Sequence, residues 1–274
     1  MHMPFSLFQV DSFTTEPFRG NPAGVCLLSD DLDKHHCQAI ASEMNCSETA
    51  FLLNKGDHFS IRYFTPTQEV NLCGHATLAA AHILWEQNRI NSPGITFKAK
   101  QEVIAVERED EWIKMSFPKD SLSDKDLTIS PECALGFSDG IVRISKSEIG
   151  WYLIETRNED LVRRAKPDFR ELSASETIVL VTSRSQDSSC DFVSRFFAPH
   201  VGINEDPVTG YAHTTLGEYW SAQLGKNDLL GCQLSTRGGI VRVKVGKDRN
   251  YIMGRAVTVF EAKMKVTRDE NVFN

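Results

Sequence analysis

The 274-residue sequence lacks the features that mark membrane, secreted and nucleic-acid-binding proteins. No apolar run comes near the roughly 20 residues of a membrane-spanning helix. The N-terminal segment has no basic region followed by a long apolar core, so we expect no signal peptide. Acidic residues outnumber basic ones, 37 to 30, which is the reverse of a nucleic-acid-binding surface. We therefore expect a cytoplasmic protein with neither nucleic-acid nor membrane partners.

The cysteine spacing and the absence of nucleotide-binding motifs argue against disulfide-rich, zinc-binding and nucleotide-dependent proteins. The seven cysteines are scattered and include no C-x-x-C pair, which argues against a disulfide framework and a structural zinc site. Reduced cytosolic thiols and no metal are the expectation. The chain has neither a G-x-G-x-x-G fingerprint nor a G-K-[ST] phosphate loop, so no nucleotide cofactor is predicted.

The chain does contain a helix opening that occurs twice. One copy reads Cys73-Gly74-His75-Ala76-Thr77 and the other Thr209-Gly210-Tyr211-Ala212-His213. Each copy follows a strand-like segment with Phe-x-Pro and runs into a helix-compatible segment. Two matching half-chains predict two similar lobes, each with a glycine-led helix N-terminus that can bind an anion.

Alternating apolar residues predict an α+β fold built mostly from short strands. Residues 31–44 form an amphipathic pattern, and residues 95–106 and 112–117 read as two strands. The helix predicted over residues 76–85 is apolar on nearly every face, so we expect it to be buried all round. The polar segment 118–128 is the best linker. It divides the chain into an N-terminal lobe, 1–118, completed by 263–274, and a C-terminal lobe, 119–262.

Glu48 is a candidate general acid/base. It directly precedes a predicted strand, where apolar neighbours would raise the pKa of its carboxyl group. A turn-capping role is the simpler interpretation on the residues alone. The near-copy Ser175-Glu176-Thr177 shows how little the tripeptide specifies by itself.

His75 and Asp206 are candidate polar partners. His75 lies one residue inside a helix N-terminus, which favours the neutral imidazole and allows proton exchange, although a capping or core histidine fits equally well. Asp206 precedes the second helix, where it could stabilise the helix dipole or position His75 across a cleft. Pro207 favours a rigid turn there.

Cys73 is a candidate nucleophile, since a helix N-terminus activates a thiolate. A two-thiol racemase would need a second thiol at the matching position, which is Thr209, so this mechanism is disfavoured. A Cys/His hydrolase would need an oriented third member, and none can be named. A small buried filler is the simplest role for Cys73. The donor-rich turn 18–24, which includes Asn21, could line the same cleft or be only a tight loop.

Five motifs occur in order between about residues 5 and 260, and together they closely resemble the PhzF-like (phenazine biosynthesis-like) family. The resemblance implies a diaminopimelate-epimerase-like fold with two lobes, each a curved, mostly antiparallel sheet or barrel around a central helix. It also implies an active-site cleft between the lobes and a homodimer. The motifs are Asp11-x-Phe13-x3-Pro17-Phe18-x-Gly20-Asn21-Pro22-Ala23, Ser47-Glu48-Thr49-Ala50-Phe51, Phe64-Thr65-Pro66, Cys73-Gly74-His75-Ala76-Thr77 and Glu205-Asp206-Pro207-Val208-Thr209-Gly210.

The resemblance further implies an activity. The characterised family member isomerises dihydro-3-hydroxyanthranilate without a cofactor by moving a proton between ring carbons. On the matching positions, Glu48 is implied to be the catalytic acid/base, with His75 and Asp206 as its polar partners. Gly74 and Gly210 are implied to present helix-end amides to the substrate carboxylate.

Two positions depart from that family member. Cys73 replaces an acidic residue and Tyr211 replaces a small serine, so we expect a reshaped pocket. Asn21, Cys73 and Tyr211 join the two glycines as expected substrate-binding residues. The sequence therefore predicts a cofactor-independent isomerase of a small carboxylic acid, open-chain or cyclic. The alternatives are a non-catalytic acid-binding protein and an amino-acid epimerase that uses Cys73.

Overall fold

The computed structural model describes residues 5–100 and 102–264. Within these residues the chain divides into two compact units. Unit 1 comprises residues 5–18, 22–100, 102–113 and 255–264, and unit 2 comprises residues 19–21 and 114–254. The predicted completion of the first lobe by residues 263–274 falls mostly on residues 265–274, which lie outside the described part of the chain.

The described residues form 18 strands and six α-helices. The strands are β1 (Ser6–Ser12), β2 (Asn21–Leu28), β3 (Glu48–Asn54), β4 (Phe59–Phe64), β5 (Glu69–Val70), β6 (Gly94–Lys98), β7 (Val103–Glu109), β8 (Trp112–Pro118), β9 (Leu122–Asp124), β10 (Ile141–Ser147), β11 (Tyr152–Thr156), β12 (Val179–Arg184), β13 (Phe192–Ala198), β14 (Ile203–Asp206), β15 (Asp228–Gln233), β16 (Gly239–Val245), β17 (Arg249–Gly254) and β18 (Ala256–Lys263). The helices are α1 (Lys34–Met44), α2 (Gly74–Glu86), α3 (Pro131–Leu135), α4 (Glu159–Arg164), α5 (Phe169–Ala174) and α6 (Ala212–Leu224). Among the described residues, no helix has the length and apolar character needed to cross a membrane.

Unit 1 is a mixed sheet around one helix. β18 pairs antiparallel with β1, β1 pairs with β2, and β2 runs parallel to β3. The sheet continues through antiparallel β4, parallel β6 and antiparallel β7, while the short β5 pairs with β4. Helix α2 packs against β1, β3 and β18, and α1 packs against β3 and β4.

Unit 2 repeats this order of pairings. β9, β10 and β11 pair antiparallel, and β11 runs parallel to β12. β13 is antiparallel to β12 and parallel to β15, and it also pairs with the short β14. The sheet continues from β15 through β16 to β17, each antiparallel to the strand before it. Helix α6 packs against β15, β16 and β17. The predicted α+β class with two similar lobes is therefore confirmed.

The central helices are buried, as their sequences require. In α2 every residue from His75 to Ala81 is buried, together with Ile83 and Leu84, which confirms the prediction for residues 76–85. Helix α6 is more polar, yet Ala212 to Gly217 and Tyr219–Trp220 are also buried. Its polar groups bond inside unit 2, where the Trp220 indole donates to the hydroxyl of Thr182 at 3.0 Å.

Each unit has an arginine–glutamate ion pair that joins the corresponding two strands. In unit 1 Arg62 of β4 binds Glu69 of β5 at 2.8 Å and lies over the ring of Phe64. In unit 2 Arg195 of β13 binds both carboxylate oxygens of Glu205 at 2.6 and 2.9 Å. Such charge-assisted bonds are among the stronger hydrogen bonds in proteins. They hold the strand that leads into each glycine-led helix.

Two sequence predictions are wrong in detail. The strand predicted over residues 95–106 is interrupted, because the amide of Ala99 donates to Glu102 O in a turn between β6 and β7. The linker predicted over residues 118–128 contains β9, which pairs with β10.

A disulfide corrects the expectation of reduced thiols. Cys190 is bonded to Cys232 across 42 residues, with Cα atoms 6.0 Å apart. Cys232 lies on β15 beside β13, which begins two residues after Cys190, so the parallel pairing brings the two cysteines together. Five cysteines take part in no disulfide: Cys26, Cys37, Cys46, Cys73 and Cys133.

Candidate active site

Glu48 is the first residue of β3, opposite Ala23 of the parallel strand β2. Helix α1 ends at Asn45, which takes a left-handed conformation with φ 49°, and the chain then enters the sheet. The Glu48 side chain is 14% exposed, and its Oε2 lies 3.2 Å from Nε2 of His75. By contrast, Glu176 of the near-copy tripeptide is exposed. It lies before β12 rather than in it, and its backbone is left-handed with φ 51°. The start of a strand therefore distinguishes the two glutamates.

His75 is the second residue of α2, and its ring is buried. Nδ1 lies 3.4 Å from Sγ of Cys73, and the same sulfur is 4.0 Å from Nε2, the nitrogen that contacts Glu48. Burial lowers the pKa of the imidazole to about 4, so the ring is neutral near pH 7. The hydroxyl of Ser12 donates to the main-chain oxygen of His75 at 2.8 Å and fixes the backbone there.

These contacts form the Glu48–His75–Cys73 cluster. An ionised carboxylate can only accept, so when Glu48 is ionised the imidazole N–H lies on Nε2 and Nδ1 accepts from the thiol. From the residues alone no third member could be named for a Cys/His pair; in the structure Glu48 lies beside His75. A carboxylate oxygen of Glu48, a ring nitrogen of His75 and Sγ of Cys73 lie within 4.8 Å of one another. All three atoms are of types that can bind a metal ion. Cys73 and His75 are hydrogen-bonded, and Glu48 Oε2 is 3.2 Å from the same imidazole, so we interpret the cluster as a path for protons.

The first turn of α2 adds backbone donors to the cluster. Helix α2 begins at Gly74, next to Cys73, whose backbone is extended with φ −145°. The first amides of a helix have no intrahelical acceptor and are a ready anion site. The hydroxyl of Thr77 donates to Cys73 O at 2.7 Å and contacts the buried Tyr63 hydroxyl at 2.6 Å. The glycine-led turn is thus anchored by the side chain of Thr77.

In unit 2, Asp206 closes β14 and organises the turn of residues 206–210. Its Oδ1 accepts from Nδ2 of Asn21 at 2.8 Å, and its Oδ2 accepts from the hydroxyl of Thr209 at 2.5 Å. Burial raises the pKa of the Asp206 carboxyl above its ordinary range, against the bonds from Thr209 and Asn21, which lower it. The Asp206 carboxyl group therefore keeps its proton to a higher pH than a solvent-exposed aspartic acid does.

Asn21 and Gln233 hold the 206–210 turn from two sides. The second hydrogen of the Asn21 amide goes to Val208 O at 2.9 Å, so both donors of this predicted substrate-binding residue are used within unit 2. Gln233 of β15 is 1% exposed; its amide donates to Asp206 O at 2.7 Å, and its oxygen accepts from Thr209 N at 2.9 Å. Sequence reasoning missed Gln233, since a single glutamine in an amphipathic strand gives no signal.

Tyr211 and Gly210 lead into α6. The Tyr211 ring contacts Phe117 and Trp151 at centroid distances of 5.5 and 5.8 Å. Two residues later, Nδ1 of the buried His213 donates to Thr209 O at 2.9 Å. Thr77 makes the same contact with Cys73 O in unit 1, so both helix openings use the fourth residue after the 73 or 209 position.

The structure thus separates the predicted residues into two groups. Glu48, Cys73, Gly74 and His75 lie together in unit 1. Asn21, Asp206, Gly210 and Tyr211 lie about the 206–210 turn in unit 2. The positioning of His75 by Asp206 stays a prediction.

Duplicated mixed sheets, each packed against one buried helix with a glycine-led start, define the fold class as diaminopimelate-epimerase-like. A solved protein from Pseudomonas aeruginosa, described as a predicted epimerase, has this fold, with a TM-score of 0.70 and 20% identity over 96% of this chain and all of that one. At that identity the likeness concerns the fold alone.

Comparison at higher identity gives the family. The family model described as phenazine biosynthesis-like protein matches residues 10–262, and the chain belongs to this PhzC-PhzF family. An uncharacterised isomerase from Halalkalibacterium halodurans is 42% identical over 264 residues, covering 96% of this chain and 99% of the relative. A solved PhzF-family structure from Enterococcus faecalis has a TM-score of 0.89 and 35% identity, covering 96% of this chain and 100% of that one. The chain is accordingly an enzyme of the isomerase class.

Proposed function

We propose that the protein is a cofactor-independent isomerase that moves a proton between carbon atoms of a small carboxylic acid, with Glu48 as the general acid/base. The observation that carries the proposal is the 3.2 Å contact between Glu48 Oε2 and His75 Nε2, at a strand start beside a glycine-led helix. Membership of a family whose relatives are named isomerases supports the same reaction class.

Glu48 suits proton removal because of what surrounds it. Its side chain is only 14% exposed, so little water surrounds the carboxylate. His75 stays neutral near pH 7, so its N–H orients the carboxylate without neutralising its charge. The carboxylate can then take a proton from carbon and return it to another carbon of the same substrate.

The substrate's charge requires stabilisation while the proton is on Glu48. The electron pair of the broken C–H bond stays on the substrate and spreads into its unsaturated system. The first-turn amides of α2, next to Glu48's partner His75, can bind a carboxylate or the developing negative charge. This combination favours a small carboxylic acid as the substrate.

The 206–210 turn takes a supporting role in the proposal. Asp206 is bonded to Asn21 and Thr209, so its contacts fit a positioning residue for the second glycine-led helix. Tyr211 stands where the characterised family member has a small serine, so we expect a different substrate from that of this relative.

Hydrogen exchange in heavy water tests the proposal. Small hydroxy-, amino- and unsaturated cyclic carboxylic acids, dihydro-3-hydroxyanthranilate among them, would be incubated with the enzyme and followed by NMR and mass spectrometry. We expect isomerisation of one or more acids, and a loss of about 10²- to 10⁴-fold in Glu48→Gln. Glu176→Gln, in the exposed near-copy tripeptide, is the matched control and should match the wild type.

Two outcomes would count against the assignment. Near-full turnover in Glu48→Gln would remove Glu48 from the reaction. Tight calorimetric binding of an acid without turnover, unchanged by Glu48→Gln, would instead identify an acid-binding protein.

A further inference from the structure

The thiol of Cys73 has no task in a reaction in which Glu48 alone carries the proton. It is buried, with 8% of its surface exposed, and it lies beside the Glu48 carboxylate. Its Sγ lies 3.4 Å from Nδ1 of His75, and an oxygen of Glu48, a ring nitrogen of His75 and Sγ all lie within 4.8 Å of one another. A single imidazole thus contacts two groups that can each gain and lose a proton.

We propose that Cys73 is a second acid/base group of this site. Resting on the proposed isomerase function, the inference is that Glu48 removes a proton from one carbon while the Cys73 thiol delivers a different proton to another carbon. The roles reverse in the opposite direction. The product then carries a solvent-derived hydrogen, because the proton that is delivered is not the one that was removed.

The step balances in atoms and charge. A C–H bond breaks, its proton goes to the Glu48 carboxylate, and the electron pair stays on the substrate. A new C–H bond forms with the proton of the thiol, which leaves a thiolate. The enzyme ends with one carboxylic acid and one thiolate in place of a carboxylate and a thiol, and both groups return to the starting state by exchange with water.

The backbone around the thiol is held firmly, as proton delivery requires. Thr77 donates to Cys73 O, and Ser12 donates to His75 O, so both ends of the Cys73–His75 contact have fixed main-chain positions. The burial of His75, which keeps the ring neutral, leaves Nδ1 able to accept from the thiol and orient it.

The repeated unit shows that this position does not need sulfur for structure. At the matching position unit 2 has Thr209, whose hydroxyl bonds to Asp206 and whose amide bonds to Gln233. The same helix opening therefore folds with a hydroxyl in place of the thiol. In unit 1 the residue at this position is a thiol that lies beside the carboxylate of Glu48.

Isotope content in Cys73 variants tests the inference on the acid found by the exchange screen. In heavy water we expect the wild type to form product fully deuterated at the receiving carbon. Cys73→Ala and Cys73→Ser should each lose about 10²-fold or more in turnover. Serine keeps a hydrogen bond to His75 but is a much weaker acid, so a filler or positioning role would leave Cys73→Ser nearly fully active. Cys133→Ser, at a free cysteine of α3, is the control.

The outcomes separate this inference from the proposed function. Inactive Glu48→Gln with fully active Cys73→Ser, or product that retains the substrate's own hydrogen in the wild type, would leave the isomerase and overturn the role of Cys73. Fully active Glu48→Gln would overturn the proposed function itself.

Thiol chemistry provides a test without substrate. Alkylation of Cys73 by iodoacetamide would be followed against pH by peptide mass spectrometry, with Cys133 of the same sample as internal control. Glu48 and His75 face the thiol, and Tyr63, whose pKa is raised by burial, stays neutral near it. Removing one charge at this distance in Glu48→Gln should lower the pH midpoint for Cys73 by roughly one unit. An unchanged profile would overturn the coupling.

Discussion

The hydroxyl of Thr209 donates to the carboxyl of Asp206 at 2.5 Å, at the position where unit 1 has the thiol of Cys73. In both units the residue before the helix-opening glycine therefore belongs to a polar cluster that contains a carboxyl side chain. In unit 1 the imidazole of His75 contacts both the thiol and the carboxylate. In unit 2 the hydroxyl and the carboxyl group are bonded directly.

Loss of the Thr209 hydroxyl should destabilise the 206–210 turn. Thr209→Val keeps the shape of the side chain but leaves Oδ2 of Asp206 without this donor. We expect a loss of about 1–3 kcal/mol in the free energy of unfolding, the usual effect of an unmade buried hydrogen bond. Thr209→Ser keeps the hydroxyl and should lose much less. Urea titration of both variants is the measurement, and equal losses would show that the hydroxyl contributes nothing.

The raised pKa of Asp206 should make stability depend on pH in a defined direction. A carboxyl whose folded-state pKa is raised stabilises the native state below its ordinary pKa, about 3.9, and this contribution is lost as pH rises through the folded-state value. The stability of the wild type relative to Asp206→Asn should therefore fall as pH is raised from about 3. Denaturant titrations of both proteins at several pH values measure it, and a difference that grows with pH would contradict the raised pKa.

The two arginine–glutamate pairs should differ in how much they contribute to the free energy of unfolding. Arg195 binds Glu205 through two bonds and also donates to the main-chain oxygens of Val162, Arg163 and Ala165. Lysine cannot reproduce this fork, so Arg195→Lys should lower the free energy of unfolding by about 2 kcal/mol.

Arg62 is the matched comparison within the same chain. It binds Glu69 through one hydrogen bond and donates to Leu32 O. Arg62→Lys should therefore lose less than Arg195→Lys. Both are measured by urea denaturation, and the reverse order would show that these contacts do not determine the loss.

The imidazole of His75 should remain neutral well below the ordinary histidine range. Its folded-state pKa is about 4, against about 6.5 in an unfolded chain. The stability that this shift provides is fully present above about pH 6.5 and is lost as pH falls towards 4. In ¹⁵N NMR the ring should not titrate between pH 5 and 8. A transition within that range would mean that His75 becomes charged beside Glu48, and the neutral-imidazole role would fail.

The duplication was readable from the sequence because the glycine-led openings at Gly74 and Gly210 and the Phe-x-Pro segments recur in order. The proximity of Glu48 and His75 followed from the resemblance to a family, since the residues alone favoured a capping role. Glu176 in the same tripeptide is exposed, so local sequence could not have separated the two. Only the parallel pairing of β2 with β3 gives Glu48 its position.

Contacts between distant strands account for what sequence reasoning missed. Gln233 and Cys232 lie on β15, which reaches β13 only through a parallel pairing. That pairing brings Gln233 to the 206–210 turn and Cys232 to Cys190. Neither residue has a motif, a spacing or a charge pattern that points to its partner.

The antiparallel pairing of β1 with β18 joins residues 6–12 to residues 256–263, on either side of all of unit 2. On the ribosome, β1 is therefore synthesised long before the strand that covers its edge. An uncovered strand edge is a template for unwanted pairing with other chains. A nascent or truncated polypeptide that stops at Gly254 would leave that edge open, so the synthesis of β18 also protects the first unit against aggregation.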